Sequence, residues 1–191
     1  MKITQKSRIG AYQLFLAADT VVSFAMGLFA PFWVVFIQDF GDSMSVFGFA
    51  LGLKMSAFAL AACFGGKLSD RYGRRIVIVS GRVASALIIC SYLWATSLSQ
   101  LYLLQVCFGV AAAIDATATT AFLGDITKRA SRGRDIGRFT AVTGIIGAVA
   151  MMAGGIAVDT FGMEIIFYGV GALFFASSLL LLCIEEKREA R

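Results

Sequence analysis

The chain contains no histidine and a single proline among its 191 residues, and only 15% of its residues are charged. Without histidine, proton transfer near neutral pH must rely on other side chains, carboxylates above all. Soluble globular domains carry about 25% charged residues, whereas this chain is 59% hydrophobic. The shortage of charge therefore excludes an ordinary soluble domain and indicates a membrane protein.

Motifs for catalysis and for cofactors are missing as well. The sequence shows no metal-ligand cluster, no nucleophile–base pair and no phosphate-binding loop, so we expect no enzymatic activity, no bound metal and no cofactor. The four cysteines lie inside apolar segments and form no CxxC pair. We expect them to pack as small apolar side chains.

Long uncharged runs divide the chain into membrane spans. Residues 20–38, 139–158 and 165–184 each hold 19 or 20 residues without a charge, close to the ~20 residues that cross a bilayer. The uncharged stretch 83–114 has room for two spans, which a polar run at 96–100 separates. We predict an all-α membrane protein with one domain of six transmembrane helices, at about 12–37, 43–64, 75–96, 100–122, 137–158 and 165–184.

Positive charge is confined to alternate connections between these helices. Fifteen of the seventeen Lys and Arg residues lie in the N-terminal tail, the 2–3 loop, the 4–5 loop region and the C-terminal tail. The other three connections contain none. The positive-inside rule then predicts a multi-pass protein of the cell (inner) membrane with both termini in the cytoplasm. We interpret the basic charge as a topology signal and expect no nucleic-acid partner.

An internal repeat appears at an offset of 89 residues. The offset aligns FGGKLSDRYGRR with AGGIAVDTFGME, and it places Gly65, Gly66, Asp70 and Gly73 on Gly154, Gly155, Asp159 and Gly162. Because it advances the chain by three helices, an odd number, the two copies would lie on opposite faces of the membrane. The sequence therefore predicts a 3+3 inverted repeat, as transporter folds contain.

The segment 66–75, GKLSDRYGRR, resembles the loop between helices two and three of the major facilitator superfamily. Its glycines permit a tight turn, its carboxylate can cap a neighbouring helix, and its arginines hold the loop at the membrane surface. Asp125 and the RGR run at 132–134 resemble the 4–5 loop of the same family.

This resemblance implies a half of a major facilitator transporter that opens alternately to each side of the membrane. It also implies a gate and conformational switch at the loop, in which Asp70 contacts the fifth helix of a second unit. The residues that it assigns to this gate are Gly66, Asp70, Arg71, Gly73, Arg74, Arg75 and Arg134.

Two positions depart from the patterns that antiporters of the family share. In the fifth helix, Ala150-Met151 stands where a Gly-Pro pair normally precedes the double glycine. In the fourth helix, Gln105 occupies the place of an arginine four residues before a glycine, here Gly109. The drug–proton antiport and the arginine-based proton handling of the family are therefore not carried over to this chain.

The chain supplies six helices, whereas members of the family usually have twelve, in two halves related by an axis normal to the membrane. Two identical chains around a twofold axis would reproduce that arrangement. We therefore expect a homodimer that transports a small-molecule substrate, with membrane lipids around it and protons as the coupling ion. A truncated half of a twelve-helix transporter and a non-transporting membrane scaffold are the alternatives.

Four ionisable residues fall inside the predicted spans, and such residues are functional candidates because burying charge in a membrane is costly. Asp19 and Asp115 should lie at similar depth on the first and fourth helices, which the resemblance places along the central cavity. We expect them to couple transport to protons. The alternative is a structural role, in which each aspartate pairs with a basic neighbour or binds a hydroxyl, with Thr20, Thr117 and Thr119 as candidates.

The two basic residues within the spans receive different expectations. Lys54 lies near the middle of its helix, so we expect it to face the cavity or to pair with an aspartate. Arg82 is close enough to the membrane surface to snorkel or to bind a lipid phosphate. In the first helix, Pro31 predicts a kink, and Phe32 and Trp33 are predicted to anchor the outer interface.

Overall fold

The computed structural model describes residues 5–38, 40–41 and 43–183, with side chains from residue 10 onward. The described chain forms six long helices and no strand: α1 (Gln5–Gln38), α2 (Met44–Tyr72), α3 (Arg74–Ser91), α4 (Leu98–Ile126), α5 (Arg132–Phe161) and α6 (Met163–Leu182). Each of the six is long and apolar enough to cross a membrane. The predicted all-α fold with six spans is confirmed.

Several helices extend beyond the limits expected from hydropathy. α2 continues to Tyr72, α4 continues to Ile126 and α5 begins at Arg132, where the sequence predicts limits near 64, 122 and 137. An uncharged run marks the membrane crossing, whereas a helix continues into water for as long as its backbone hydrogen bonds are made. α3 instead ends early, at Ser91, because the chain tightens into the 3₁₀ turn Tyr92–Trp94.

Single glycines join two pairs of consecutive helices. Gly73 links α2 to α3 with φ 97°, and Gly162 links α5 to α6 with φ 79°. Residues with a Cβ avoid this region of backbone space, whereas glycine enters it freely. These are the two glycines that the 89-residue offset aligns, so both copies of the predicted repeat make the same one-residue turn.

The outer helices α2 and α5 pack on different inner helices. α2 lies against α4 and α5 lies against α1, while α3 and α6 pack on each other, α3 also on α4 and α6 also on α1. Glycines allow the first two contacts, because a Cβ on Gly65 would collide with Thr117 of α4, and a Cβ on Gly154 would collide with Phe32 of α1. Gly65 and Gly154 are aligned by the same offset.

Aromatic side chains form the core in two layers. Phe15 packs between Phe122 and Phe139 near the N-terminal end of α1. The second layer surrounds Phe29 further along α1 and contains Trp33, whose side chain packs on that of Tyr92. The expectation that Trp33 anchors the outer interface is wrong, because only 6% of this residue is exposed.

Adjacent glycines in α2 provide a matched test of this packing. We expect Gly65→Ala to lower the unfolding temperature, because its new methyl group meets Thr117 and the α4 backbone, and overpacking costs ~1–3 kcal/mol. Gly66→Ala should leave stability unchanged or raise it, because the space around Gly66 is open and alanine favours a helix by up to ~1 kcal/mol. Thermal unfolding of both variants in one detergent measures the difference, and equal shifts would contradict the close α2–α4 contact.

Candidate functional site

Arg82 of α3 is completely buried inside the bundle, with no exposed side-chain surface. Its Nη2 lies 2.6 Å from Oδ1 of Asp19 on α1, and its Nε lies 3.3 Å from Oδ1 of Asp115 on α4. The preceding Gly81 brings α3 against the backbone of α4 at Asp115. The expectation that Arg82 snorkels to the surface or binds a lipid phosphate is wrong, because it forms ion pairs inside the bundle.

Hydroxyl groups complete this cluster, which we call the Arg82 cluster: Asp19, Arg82, Asp115 and Ser177. Arg82 Nη1 donates to Oγ of Ser177 on α6 at 2.5 Å, and Ser177 Oγ donates onward to the carbonyl of Ala18 at 2.8 Å. Thr119 Oγ1 donates to Asp115 Oδ1 at 3.2 Å. Four helices therefore contribute to one hydrogen-bonded network.

The two aspartates form ion pairs inside the bundle and still keep part of their side chains exposed. Each is paired with a basic neighbour, as a structural role requires, yet 16% of the Asp19 side chain and 15% of the Asp115 side chain stay exposed. Of the three candidate hydroxyls only Thr119 reaches a carboxylate, since Thr20 and Thr117 donate to carbonyls of their own helices. Two carboxylates share one guanidinium, so the cluster would carry one uncompensated negative charge if both were ionised.

A cavity of about 340 Å³ borders this cluster. Its wall includes Asp115 and Phe108 of α4, Lys54 of α2 and Met26 of α1. A second cavity of about 170 Å³ shares Met26 and Lys54 with the first and reaches Trp33. The larger volume falls within the ~300–1,000 Å³ range of small-molecule sites.

Lys54 is the cationic side chain of this cavity. Its Nζ lies 4.8 Å from the centre of the Phe108 ring, within the ~6 Å reach of a cation–π contact. Within the described part of the chain, the ion pairs of the bundle interior join Arg82 to the aspartates and do not include Lys54. The structure therefore places Lys54 on the cavity, the first of the two positions expected for it.

The residues that the resemblance assigns to a gate lie at one end of the bundle, which we call the basic end: the C-terminus of α2, the N-terminus of α3 and the α4–α5 connection. Arg74 pairs with Asp70 at 2.6 Å and with Asp125 of α4 at 3.2 Å. Its Nη1 also donates to Ser69 Oγ at 2.6 Å. Arg74 thus ties α3 to both α2 and α4.

The other charged gate residues lie at the same basic end as Arg74. Arg75 Nη1 donates to the carbonyl of Leu182 on α6 at 3.3 Å, and Arg71 lies over the Tyr72 ring at 5.4 Å. Asp70 and Arg134 are exposed. Contact of Asp70 with the fifth helix of a second unit stays a prediction, which accessibility labelling of Asp70→Asn on both sides of a membrane would check.

A second set of buried polar side chains, which the sequence does not predict to lie together, is found elsewhere in the bundle. Trp33 Nε1, the Tyr92 hydroxyl and the Gln105 amide are buried and lack a hydrogen bond of good geometry within the described residues. Gln105 and Trp33 nevertheless both lie close enough to the Tyr92 hydroxyl to interact with it. Gln105 is the position at which the resemblance leads one to expect an arginine, and the structure has a buried neutral amide there.

Six apolar helices around a buried charge cluster, with a cavity beside it, define an integral multi-pass membrane protein built like a transporter unit. The sequence profile of the Major Facilitator Superfamily matches residues 15–191. The chain belongs to this superfamily of membrane transporters.

Individual relatives differ in length. The uncharacterized MFS-type transporter YitZ of Bacillus subtilis is 30% identical over 159 residues, which cover 83% of this chain and 97% of YitZ. The multi-drug resistance efflux pump PmrA of Streptococcus pneumoniae is 26% identical over 83% of this chain and 41% of PmrA. Multidrug resistance protein 2 of Bacillus subtilis is 30% identical over 74% of this chain and 37% of that protein. The chain thus spans nearly all of YitZ but less than half of the two drug-resistance proteins.

Removal of the shared guanidinium tests the Arg82 cluster. We expect Arg82→Gln to destabilise the protein by ~3–5 kcal/mol, because two buried carboxylates lose their common counter-ion. Adding Asp115→Asn to that variant should recover much of the loss, since one carboxylate charge is then removed. Thermal unfolding in detergent measures both effects.

The matched control for this experiment is Arg129→Gln, which makes the same chemical change at an exposed position. It should change stability by less than ~0.5 kcal/mol. An Arg82→Gln protein as stable as the wild type, or a double variant no more stable than Arg82→Gln, would show that the cluster does not hold the helices together.

Proposed function

We propose that this chain is a six-helix unit of an alternating-access secondary transporter for a small solute, coupled to protons and working as a homodimer. The Arg82 cluster beside the cavity is the observation that supports this proposal most directly. A merely structural ion pair needs one carboxylate for one guanidinium, whereas this cluster has two.

The charge of the cluster suits it to take up one proton. With both aspartates ionised and Arg82 charged, the cluster carries one net negative charge, and a single proton neutralises it. Arg82 can then stay paired with whichever carboxylate remains ionised. Because Asp115 lines the cavity and both carboxylates are partly exposed, a change in cavity hydration between two conformations would change how readily the cluster binds that proton.

The position of the cavity agrees with transport between two units. The wall includes side chains of α1 and α4, the helices that the family resemblance places along the central path. Lys54 lines it from α2, an outer helix whose surface is mostly exposed. A second unit that covers this side would close the cavity.

The inverted repeat and the orientation are part of the same proposal. The matched links at Gly73 and Gly162, together with the matched contacts at Gly65 and Gly154, support two three-helix units of opposite orientation. We place the basic end in the cytoplasm of the cell membrane, where an excess of arginine and lysine belongs. The pairing of Arg74 with Asp70 and Asp125 would then form the inner part of the gate.

The identity of the second unit has two candidates. The match to nearly all of YitZ supports a unit of this size, which favours a pair of identical chains. The matches to less than half of PmrA and of Multidrug resistance protein 2 support the other candidate, in which the same six helices form one half of a longer protein.

Proton coupling predicts a specific loss of function. Asp19→Asn and Asp115→Asn each keep the side-chain shape and remove one titratable group, which fixes the cluster in its neutral form. We expect both variants to lose accumulation of solute driven by a pH gradient while they retain exchange between equal compartments. The measurement is uptake of a panel of labelled organic anions and cations into proteoliposomes.

A matched control for coupling is Asp159→Asn, which removes a carboxylate at the exposed end of α5. It should leave gradient-driven accumulation intact. If Asp19→Asn and Asp115→Asn both still concentrate a solute in response to the gradient, either the residues or the driving ion is wrong.

Dimerisation predicts the mass of the active particle. A lone unit leaves Lys54 and its cavity on an open side of the bundle, at a cost of a few kcal/mol for a charge that faces lipid. We therefore expect two chains per particle when the protein is placed in lipid nanodiscs at high dilution, as measured by single-particle mass. Particles that contain one chain and still transport after reconstitution would reject the homodimer.

A further inference from the structure

The chemical class of the solute can be inferred from the cavity wall, and this inference rests on the proposed transport function. The wall contains two charged side chains, Lys54 and Asp115, among apolar ones. Asp115 is already paired with a cation of the protein, whereas Lys54 forms no ion pair with the described carboxylates. This difference determines which charge a solute should carry.

The carboxylate is already satisfied inside the protein. Asp115 pairs with Arg82 and accepts a hydrogen bond from Thr119, so a cationic solute would compete with a guanidinium that is already bound and fully buried. Only 15% of the Asp115 side chain is exposed. Asp115 is thus poorly suited to be the main partner of a cation.

Within the described residues, the ammonium group of Lys54 lacks such a partner. It contacts the face of the Phe108 ring, and in the described residues no carboxylate lies within ion-pair distance of it. The ring face offers an electrostatic contact only, whereas a solute carboxylate would accept charge-assisted hydrogen bonds from the ammonium group, which are about twice as strong as neutral ones. A solute anion would therefore gain more at Lys54 than Lys54 loses by leaving the ring.

Apart from Ser85, the rest of the wall is apolar and adaptable. Met26, Met55, Phe58 and Phe174 line the cavity together with Phe108. Aromatic rings offer flat faces, and methionine side chains adjust to irregular shapes. A solute that fills this space needs an aromatic or aliphatic body next to its charged group.

We propose that the cavity binds amphipathic organic monoanions, such as aromatic carboxylates, with Lys54 as the counter-ion of the carboxylate. Lys54 lies ten residues from Met44 at the start of α2, which is ~15 Å along the helix axis. A lipid headgroup held at the membrane surface does not reach that depth, so the anion is a free solute. Binding of one anion at Lys54 and one proton at the Arg82 cluster would leave the cavity neutral.

Calorimetric titration of the wild-type protein in phosphatidylcholine nanodiscs tests this proposal, with empty nanodiscs as the reference for partitioning. The probes are 1-naphthoate and its cationic counterpart 1-naphthylmethylammonium. We expect 1-naphthoate to bind and the cation to show no binding above the reference. Lys54→Met should weaken 1-naphthoate binding by about tenfold or more, because the charged partner is lost.

Three further variants separate charge from folding. Lys54→Arg should retain binding, and Lys67→Met, the same change further along α2 at the basic end, should bind as the wild type does. Asp115→Asn should strengthen 1-naphthoate binding several-fold, because it removes the competing negative charge. These opposite effects of Lys54→Met and Asp115→Asn cannot arise from a general loss of structure.

Three results would overturn the proposal: no binding of 1-naphthoate, binding that Lys54→Met leaves unchanged, or tighter binding of the cation than of the anion. Nanodiscs that contain phosphatidylglycerol provide a further arm, in which loss of 1-naphthoate binding would identify an anionic lipid as the occupant and also overturn it. Because binding is measured without a gradient, it succeeds or fails independently of proton-driven accumulation. Accumulation of cations alone in proteoliposomes would support transport while it rejects the anion site.

Discussion

The guanidinium of Arg82 is shared by the elements that form the centre of this bundle. It reaches Asp19 on α1, Asp115 on α4 and Ser177 on α6 from its own position on α3. A buried arginine without partners would cost several kcal/mol, so the four helices must hold their relative depth and rotation for the cluster to form. The depth of the cavity and the direction in which both carboxylates face depend on that register.

Around this centre, close contacts between helices depend on glycines. Gly81 lets α3 approach α4 at the position of Asp115, and Gly65 and Gly109 let α2 approach the same helix. Apolar side chains gain little from burial against one another in a membrane, because lipid tails are equally apolar. Helix association there relies on close packing and on polar contacts, and this bundle uses both at α4.

The Arg82 cluster and Lys54 lie on different sides of the cavity, which would link the proposed uptake of a proton to the proposed binding of a solute anion. The two carboxylates of the Arg82 cluster are on the inner helices α1 and α4, whereas Lys54 is on the outer helix α2. A proton at one site and an anion at the other would therefore each change the field felt by the other. The buried cation of the bundle interior is Arg82 on α3, whereas Gln105 on α4 is a neutral buried amide.

The sequence by itself determined the class of the protein and its membrane crossings. Uncharged runs of about 20 residues have one physical solution in a bilayer, which is a helix, and the GKLSDRYGRR loop carries enough spaced residues to indicate the family. Helix ends were less predictable, because α2, α4 and α5 continue beyond the apolar spans, where hydropathy contains no signal for their termination.

Only the tertiary structure decided how the charges within the spans are used. Asp19, Arg82 and Asp115 are separated by 63 and 33 positions, and no local pattern reveals that α1, α3 and α4 bring them together. Snorkelling was a reasonable expectation for Arg82 from its depth alone, but the rotation of α3 directs its side chain toward the bundle interior. Whether a charged side chain within a membrane forms an ion pair or extends to the surface depends on which side chains it faces, and helix packing determines those neighbours.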